Sequence, residues 1–398
     1  METLQKNYNK KLKETDLNFQ RYMLDKIPWN NRLLAIVGAR GTGKTTLMLQ
    51  HIKKHLDPEK SFYFTLDHLY FSTHRLLDTV DALYNEGITN IFIDEVHKYP
   101  YKTWAQEIKN VYDSYSDIKL VFSGSSILNI YKGNADLSRR ALSYELFGMS
   151  FREFLIYENK LNIKPVTLNE ILLNHKKIAN NITSKIKILP LFKQYLKTGF
   201  YPYYKEDLQG YHQRLLNTVN LVIESDLPAV DNIEYVSIIK LKRLLSIISE
   251  KVPFSPNITE LSNAVNIQRT NFPKSLLQLE RARMIALLRG TDKNISSLTK
   301  PDKIYLDNSN LAYALGDNSA NIGNIRETFF YNQLNHSHKV ASSQYGDFTV
   351  DKKFVFEVGG KNKDYSQIKN VKNSYIAADE IEIGWKNKIP LWLFGFLY

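Results

Sequence analysis

The chain has 398 residues, of which 43% are hydrophobic and 24% charged, and its formal net charge is +12 at pH 7. This length exceeds what one hydrophobic core usually organises, so we expect two or three domains. The absence of cysteine excludes disulfide frameworks, thiolate catalysis and cysteine-ligated zinc. No apolar run approaches the roughly 20 residues that a membrane span needs, and residues 1–12 are polar. We therefore expect a cytoplasmic protein with no membrane partner.

The positive charge allows two interpretations. Lysine and arginine release condensed counterions when they meet phosphates, so a basic chain favours a nucleic-acid partner such as DNA. The basic residues are also spread along the whole chain, as expected of a composition bias on solvated faces. Charge alone leaves both interpretations open.

The first part of the chain alternates between strand and helix patterns. Residues 33–37 form an apolar run ending in glycine, which is typical of a buried parallel strand. Residues 45–56 have helical periodicity and are followed by Pro58. Further apolar runs at 62–66, 91–93 and 120–122 alternate with helical stretches. This pattern predicts βαβ units and a parallel sheet.

The second part of the chain has a different pattern. From about 150 to 235 helical periodicity dominates, which indicates a helical lid or connector. Three helical segments follow between 236 and 290, a size typical of a helix-turn-helix unit. Beyond Pro301 we predict a strand at 303–306, helices, and a hairpin-like pair at 348–350 and 354–358.

A glycine-rich motif lies between the first predicted strand and the helix that follows it. Its glycines allow backbone N–H groups to curl around phosphates, where the helix N-terminus adds partial positive charge. Lys44 is expected to reach the β- and γ-phosphates, and the hydroxyl of Thr45 to bind Mg²⁺. The motif therefore predicts a binding site for a nucleoside triphosphate. In this site Lys44 is expected both to bind the phosphates and to take part in catalysis. Its residues are Gly38, Ala39, Arg40, Gly41, Thr42, Gly43, Lys44, Thr45 and Thr46.

A second motif, Asn90-Ile91-Phe92-Ile93-Asp94-Glu95, is an apolar strand that ends in two carboxylates. At the C-terminal end of a parallel strand, Asp94 is expected to face the Mg²⁺ shell. The adjacent Glu95 is expected to polarise the attacking water. Together with the glycine-rich motif, this pattern predicts nucleotide hydrolysis.

Two further features complete the predicted site. The next strand ends in Ser123-Gly124-Ser125-Ser126. We predict that the hydroxyl of Ser125 contacts the γ-phosphate or the attacking water. The alternative is that these residues form an ordinary turn. Arg140 is the candidate arginine that stabilises transition-state charge, either from a neighbouring subunit or after domain closure. The alternative is an ordinary surface arginine.

These residues give the chain a resemblance to bacterial and archaeal AAA-family ATPases that carry a C-terminal domain of unknown function, the DUF4143 group. In the family's glycine-arginine step, Arg139 replaces the glycine, so Arg140 matches the family arginine. The likeness spans nearly the whole chain. It depends on Gly38 to Thr46, Ile93-Asp94-Glu95-Val96-His97, Ser123-Gly124-Ser125-Ser126, Ser138-Arg139-Arg140, Met149-Ser150-Phe151-Arg152-Glu153-Phe154 and Gly199-Phe200-Tyr201-Pro202.

The resemblance implies an α/β fold class: a P-loop AAA-like parallel-sheet core, a helical lid, a winged-helix segment and a C-terminal restriction-endonuclease-like α/β domain. It also implies ATP as the nucleotide, and the motifs predict Mg²⁺ as the second cofactor. A homo-oligomer, either a ring or a dimer, is an open alternative to a single chain. The predicted boundaries are 1–155 for the core, 156–235 for the lid or connector, 236–300 for the winged helix and 301–398 for the last domain.

The predicted winged helix has two open interpretations. Residues 258–264 would be the first helix of the pair and 270–282 the recognition helix. One interpretation is a DNA-binding surface, in which polar side chains meet phosphates or base edges. The other is packing or subunit contact through ordinary core residues. The polar set is Gln268, Arg269, Asn271 and Lys274, and the apolar set is Leu276, Leu277, Leu279 and Ile285.

In the last domain, the carboxylates Glu327, Asp347 and Glu357 match the order of a nuclease-like metal site. The family's glutamate-x-lysine motif is altered, because Gly359 stands where the lysine is expected. Lys361 or Lys363 is a possible substitute. We therefore predict a nuclease-like fold used for binding, without cleavage.

Three functions remain as hypotheses. The first is an ATP-dependent motor or switch that acts on DNA. The second is a switch in which ATP controls binding to a protein partner, without nucleic acid. The third is a nuclease gated by ATP, which depends on the altered lysine motif.

Overall fold

The structure, a computed structural model, divides by its internal contacts into two compact units. The first comprises Met1–Phe147 together with Glu224–Ile233, and the second comprises Gly148–Ile223 together with Glu234–Tyr398. This division groups the residues differently from the four predicted segments, since ten residues of the predicted lid pack with the first unit. The predicted turn residue Ser126 lies outside the described residues. Those residues are 1–125, 135–231, 233–290, 300–316 and 321–398.

The first unit is built on a five-stranded sheet in which every neighbouring pair is parallel. The strand order is β2-β3-β4-β1-β5, so the strand before the glycine-rich motif lies centrally, between β4 and β5. Apolar residues fill β1 to β4 because helices cover the sheet. The predicted parallel α/β core is confirmed. The strands are β1 Leu33–Gly38, β2 Ser61–Thr65, β3 Asn90–Asp94, β4 Lys119–Ser125 and β5 Leu142–Glu145.

Helices of the first unit follow the predicted periodicity. The helix after the glycine-rich motif buries Leu47, Met48 and Ile52 against the sheet and ends at His55, shortly before Pro58. A further short helical segment, Leu227–Asp231, joins this unit from far along the chain. The other helices are α1 Glu2–Glu14, α2 Lys44–His55, α3 Leu76–Asn85, α4 Trp104–Ser114 and α5 Ala135–Arg140.

The second unit begins with helices, and its first helix is fixed by a capping box. Ser150 Oγ accepts a hydrogen bond from the Glu153 backbone N–H at 3.1 Å, and the Glu153 carboxylate accepts one from the Ser150 N–H at 3.2 Å. Arg152 Nε donates to the Tyr398 carbonyl at 2.8 Å, so this sequence block anchors the C-terminal residue. Among the described residues, no helix is long and apolar enough to cross a bilayer. The helices are α6 Phe151–Tyr157, α7 Leu168–Thr183, α8 Ile188–Thr198, α9 Tyr211–Leu221, α10 Tyr235–Lys251, α11 Ile258–Ala264, α12 Phe272–Arg281, α13 Ser309–Leu315 and α14 Ile322–Asn335.

Helices α11 and α12 are followed by an antiparallel pair of strands, β6 Ile285–Leu288 and β7 Lys303–Leu306. Helix α12 begins two residues later than predicted, with Pro273 in its first turn, where a missing N–H is tolerated. Strand β7 was predicted to open the last segment. It pairs with β6 and not with the C-terminal sheet.

A second five-stranded sheet, of order β12-β11-β10-β9-β8, closes the chain. The predicted hairpin is present as the antiparallel pair β9 and β10, while β10, β11 and β12 run parallel. Helix α14 packs on β10, where the rings of Phe330, Phe356 and Phe394 lie 4.9 to 5.6 Å apart. The strands are β8 Val340–Ser342, β9 Phe348–Val350, β10 Phe354–Gly359, β11 Ser374–Ala378 and β12 Lys388–Pro390.

Candidate active site

The glycine-rich loop between β1 and α2 has a backbone that only glycine adopts easily. Gly41 and Gly43 have φ angles of 84° and 94°, in the left-handed region. A Cβ atom on Gly38 would lie 2.4 Å from the Leu146 carbonyl oxygen. The buried Arg21 supports the loop, because its Nη1 donates to the Thr42 carbonyl at 2.6 Å. Arg21 belongs to no motif and was not predicted.

Lys44 is buried at the start of α2 and is held by the loop itself. Its Nζ donates to the carbonyl oxygens of Gly38 at 2.9 Å and Ala39 at 3.0 Å. Burial lowers the pKa of Lys44, while Glu95 and Asp94 oppose that shift. The ammonium group thus has neutral acceptors inside the loop. A phosphate oxygen would form a stronger, charge-assisted bond with the same group.

The carboxylate of Asp94 accepts four hydrogen bonds. Thr45 Oγ1 and the Tyr63 hydroxyl donate to Oδ2 at 2.5 and 2.7 Å, and Ser123 Oγ and the Glu95 N–H donate to Oδ1, the latter at 3.1 Å. Burial, and then the charge of Asp94, raises the pKa of Tyr63 well above its usual range, so the phenol remains a donor. The structure therefore brings together Thr45, at the start of α2, and Asp94, at the end of β3. The two sequence motifs predicted both residues near Mg²⁺. Tyr63 lies on β2 outside any motif.

The donors at this point suit magnesium. A threonine hydroxyl and a carboxylate are hard oxygen ligands, which Mg²⁺ prefers. Within the described ranges, no three His, Asp or Glu side chains are placed together to hold a metal ion. Thr45 and Asp94 would thus share Mg²⁺ with water and nucleotide phosphates, which is how Mg²⁺ is usually held in phosphoryl-transfer sites.

Glu95 follows Asp94 and has an unusual backbone conformation. Its φ is 53°, in the left-handed region, which costs a non-glycine residue roughly 1–3 kcal/mol and is common at functional sites. Its side chain is 21% exposed, and its Oε2 lies 3.2 Å from Nε2 of His97. Glu95 is thus next to the magnesium ligands and open to solvent, as a water-activating carboxylate must be. Its catalytic role stays a prediction.

The two remaining candidates lie in different surroundings. Ser125 is buried at the end of β4, in register with Gly38. The hydroxyl that contacts Asp94 belongs to Ser123, two residues earlier in the same predicted motif. Arg140 forms an ion pair with Asp113, with Nε 3.1 Å from Oδ1. The roles of Ser125 and Arg140 stay predictions.

The three carboxylates of the C-terminal sheet are accompanied by lysines. Lys303 Nζ lies 3.4 Å from Glu327 Oε2 and 3.5 Å from Asp347 Oδ1. Lys363 forms an ion pair with the buried Glu357. It thus places a cation beside the carboxylate whose motif has Gly359 in place of the expected lysine. Burial raises the pKa of Glu327 and of Glu357. The group is thus partly neutralised by two ammonium groups, and its nuclease-like role stays a prediction.

Comparison with protein families separates the chain into two matched regions. Residues 30–155, which contain the loop, Asp94 and Glu95, match the AAA domain model AAA_14. Residues 189–322 match a domain of unknown function, DUF8612. The predicted DUF4143 domain is not confirmed.

Similar whole proteins give limited information. An uncharacterized protein of Methanocaldococcus jannaschii is 28% identical over 70% of this chain, a match that spans 61% of that relative. DnaA from Aquifex aeolicus bound to AMPPCP covers 68% of this chain and 86% of its own length at 17% identity and a TM-score of 0.28. A RuvB variant from Thermotoga maritima covers 71% and 89% at 14% identity and a TM-score of 0.26. Residues 30–155 thus match an AAA domain model and contain the glycine-rich loop, Lys44, Thr45 and Asp94 in the arrangement of a P-loop nucleotide site.

Proposed function

We propose that this chain is a magnesium-dependent ATPase that acts as a switch or motor on DNA. The observation that carries the ATPase proposal is the contact of 2.5 Å between Thr45 Oγ1 and Asp94 Oδ2. It joins the residue that follows the phosphate-binding lysine to the end of β3, the carboxylate strand that lies two places from β1 in the sheet. Glu95 is the next residue, so a magnesium site and a base for water are adjacent.

The proposed reaction is in-line attack of water on the γ-phosphate of ATP. Glu95 accepts a proton as the water oxygen bonds to phosphorus, and the bond to the bridging β-γ oxygen breaks to give ADP and phosphate. Lys44 leaves its carbonyl acceptors for the phosphate oxygens and stabilises the spreading charge. When bound, Mg²⁺ supplies Lewis-acid stabilisation of the phosphates at Thr45 and Asp94.

The proposal that DNA is the partner is supported by the surface at the start of α12. All four polar residues that the sequence pointed to are exposed, while Leu276 and Leu279 are buried in the core. An exposed polar start on an otherwise packed helix suits contact with phosphates or base edges in a groove. The exposed residues are Gln268, Arg269, Asn271 and Lys274.

The test is ATP turnover with single-stranded, duplex and branched DNA at several salt concentrations. We expect DNA to stimulate turnover, and the paired substitution Arg269→Glu with Lys274→Glu to remove the stimulation without changing the rate in its absence. The matched control reverses two exposed charges elsewhere in the second unit, Lys369→Glu with Lys372→Glu. Equal turnover with every DNA, together with no DNA binding, contradicts the proposal.

The second candidate function is a protein-interaction switch controlled by ATP. It is favoured by an apolar surface at the start of α10, where Tyr235, Val236 and Ile239 are 74%, 58% and 52% exposed. Clusters of this kind mark interaction sites more often than scattered apolar residues do. Purification of the chain with a defined protein that is lost on Val236→Ser with Ile239→Ser, and with no DNA bound, supports this candidate over the first.

A further inference from the structure

A buried carboxylate from the middle of the chain lies in the first unit, next to the candidate active site. Asp226 is 186 residues after Arg40, and its side chain is 1% exposed. It belongs to the segment Glu224–Ile233, which packs with the first unit, and Val230 of this segment contacts that unit's apolar core. No motif predicted a role for Asp226.

Asp226 contacts two basic side chains, one from the phosphate-binding loop and one from the segment that follows Glu95. Lys98 Nζ lies 2.6 Å from its Oδ1, and Arg40 Nη1, from the phosphate-binding loop, lies 3.3 Å from its Oδ2. Burial alone would raise the pKa of Asp226, but His97 and Lys98 beside it hold the pKa well below its usual range. The carboxylate is therefore charged, and it joins the loop to the residues that follow Glu95.

Asp226 is connected to Glu95 through the imidazole ring of His97. His97 has a fully buried side chain, and its Nε2 lies 3.5 Å from Asp226 Oδ1 and 3.2 Å from Glu95 Oε2. The same nitrogen of the ring thus faces two carboxylates, one buried and one partly exposed. Because one nitrogen faces both carboxylates, the buried Asp226 restricts where the ring can lie, and the ring in turn restricts Glu95.

We infer that Asp226 is a positioning residue for ATP hydrolysis, which holds His97, and through it Glu95, in the arrangement that activates water. This inference rests on the proposed ATPase function and adds to it a residue outside the AAA-type domain. Asp226 touches none of the reacting atoms. Its effect is therefore expected in kcat, with little change in nucleotide affinity.

The arrangement has a consequence for control of the site. The chain enters Glu224–Ile233 from residue 223 and leaves it at residue 234, and both of these neighbours belong to the second unit. The active site is thus complete only while this segment is packed in place.

The test compares the full chain with Asp226→Asn and His97→Gln, measuring kcat, the Kd for ATP and thermal unfolding. His97→Gln keeps the ion pairs of Asp226 with Lys98 and Arg40, so it tests the connection even where Asp226→Asn fails to fold. We expect kcat to fall about tenfold or more in each variant, with the Kd for ATP within about threefold of wild type. The double variant is expected to be no slower than the slower single one, because both changes break the same connection.

The control is Glu107→Gln, a buried carboxylate of the same unit. Its partners are Arg75, Tyr99, Thr103 and the Leu77 N–H. Its kcat is expected to match wild type. A folded Asp226→Asn or His97→Gln variant that turns over ATP at the wild-type rate overturns the inference while leaving the ATPase proposal intact. Absence of turnover in the wild-type chain contradicts the ATPase proposal itself.

Discussion

The two five-stranded sheets both place carboxylates next to lysines, but the lysines have different partners. In the first unit, Lys44 donates to the carbonyls of Gly38 and Ala39, while Asp94 is satisfied by hydroxyl and N–H donors. Beside the C-terminal sheet, Lys303 from β7 and Lys363 from the loop after β10 pair directly with the carboxylates.

This difference decides which lysine can bind a phosphate without first breaking an ion pair. A lysine held by neutral carbonyls gains by moving to a phosphate, because the new bond is charge-assisted. A lysine paired with a carboxylate must first break an ion pair. Motif spacing alone does not distinguish these cases, whereas the partners of each lysine do.

The largest expected effect follows from removing the lysine of the first unit. Lys44→Ala is expected to lower ATP turnover roughly 10²–10³-fold, because a preorganised positive charge at the phosphates is lost. Lys363→Ala, the matched change in the C-terminal sheet, is expected to leave turnover unchanged. The measurement is phosphate release at saturating ATP and Mg²⁺, and equal losses in both variants would contradict the comparison.

The next effect concerns the hydroxyls around Asp94. Ser123→Ala removes a hydrogen bond to a charged group, so we expect turnover to fall about tenfold. Ser125→Ala, two residues later, is the control and is expected to have a smaller effect on kcat. A larger loss for Ser125→Ala would support the sensor role predicted from the sequence motif.

In the C-terminal sheet we expect a change in stability and none in ATP turnover. Glu357→Gln leaves Lys363 without its charged partner, so the free energy of unfolding should fall by about 1 kcal/mol. Urea unfolding measures this, with the exposed Glu382→Gln as control. The same samples, incubated with DNA and Mg²⁺ or Mn²⁺, should show no nicking. Nicking by wild type that Glu357→Gln abolishes would establish a nuclease site.

The last prediction concerns a pH dependence of the first unit's stability. Burial lowers the pKa of His51, which stacks on Trp29, from 6.5 to about 4. The unfolded chain therefore binds more protons than the folded one between these values, so the free energy of unfolding falls as pH decreases from 6.5 to 4, by at most about 3 kcal/mol. His51→Phe should remove this part of the acid sensitivity in thermal unfolding measured across that range. An unchanged pH profile would show that His51 is protonated in the folded state.

The fold of the first unit was largely predictable because its signals are local. Apolar runs and the glycine-rich loop predicted the parallel sheet and the pairing of Thr45 with Asp94. Tyr63, Arg21 and Asp226 were not predictable, because their roles come from neighbours far away in the sequence. A tyrosine within a strand and an aspartate within a helical stretch have ordinary explanations until the fold brings them to the site.

The C-terminal sheet shows the opposite case. The order of Glu327, Asp347 and Glu357 was visible in the sequence, and the position of Lys303 beside them was not. Lys303 lies on β7, which pairs with β6 and not with the carboxylate sheet, so no local pattern connects it to Glu327. Lys363 was named as a substitute lysine, but spacing could not separate it from Lys361.

The central claim is that Glu95 activates water in a nucleotide site built by Lys44, Thr45 and Asp94. Its most direct test measures ATP binding and phosphate release for wild type and Glu95→Gln in the presence of Mg²⁺. We expect the variant to bind ATP within about threefold of wild type and to hydrolyse it roughly 10²–10⁴-fold more slowly. Hydrolysis by Glu95→Gln at the wild-type rate would contradict the claim.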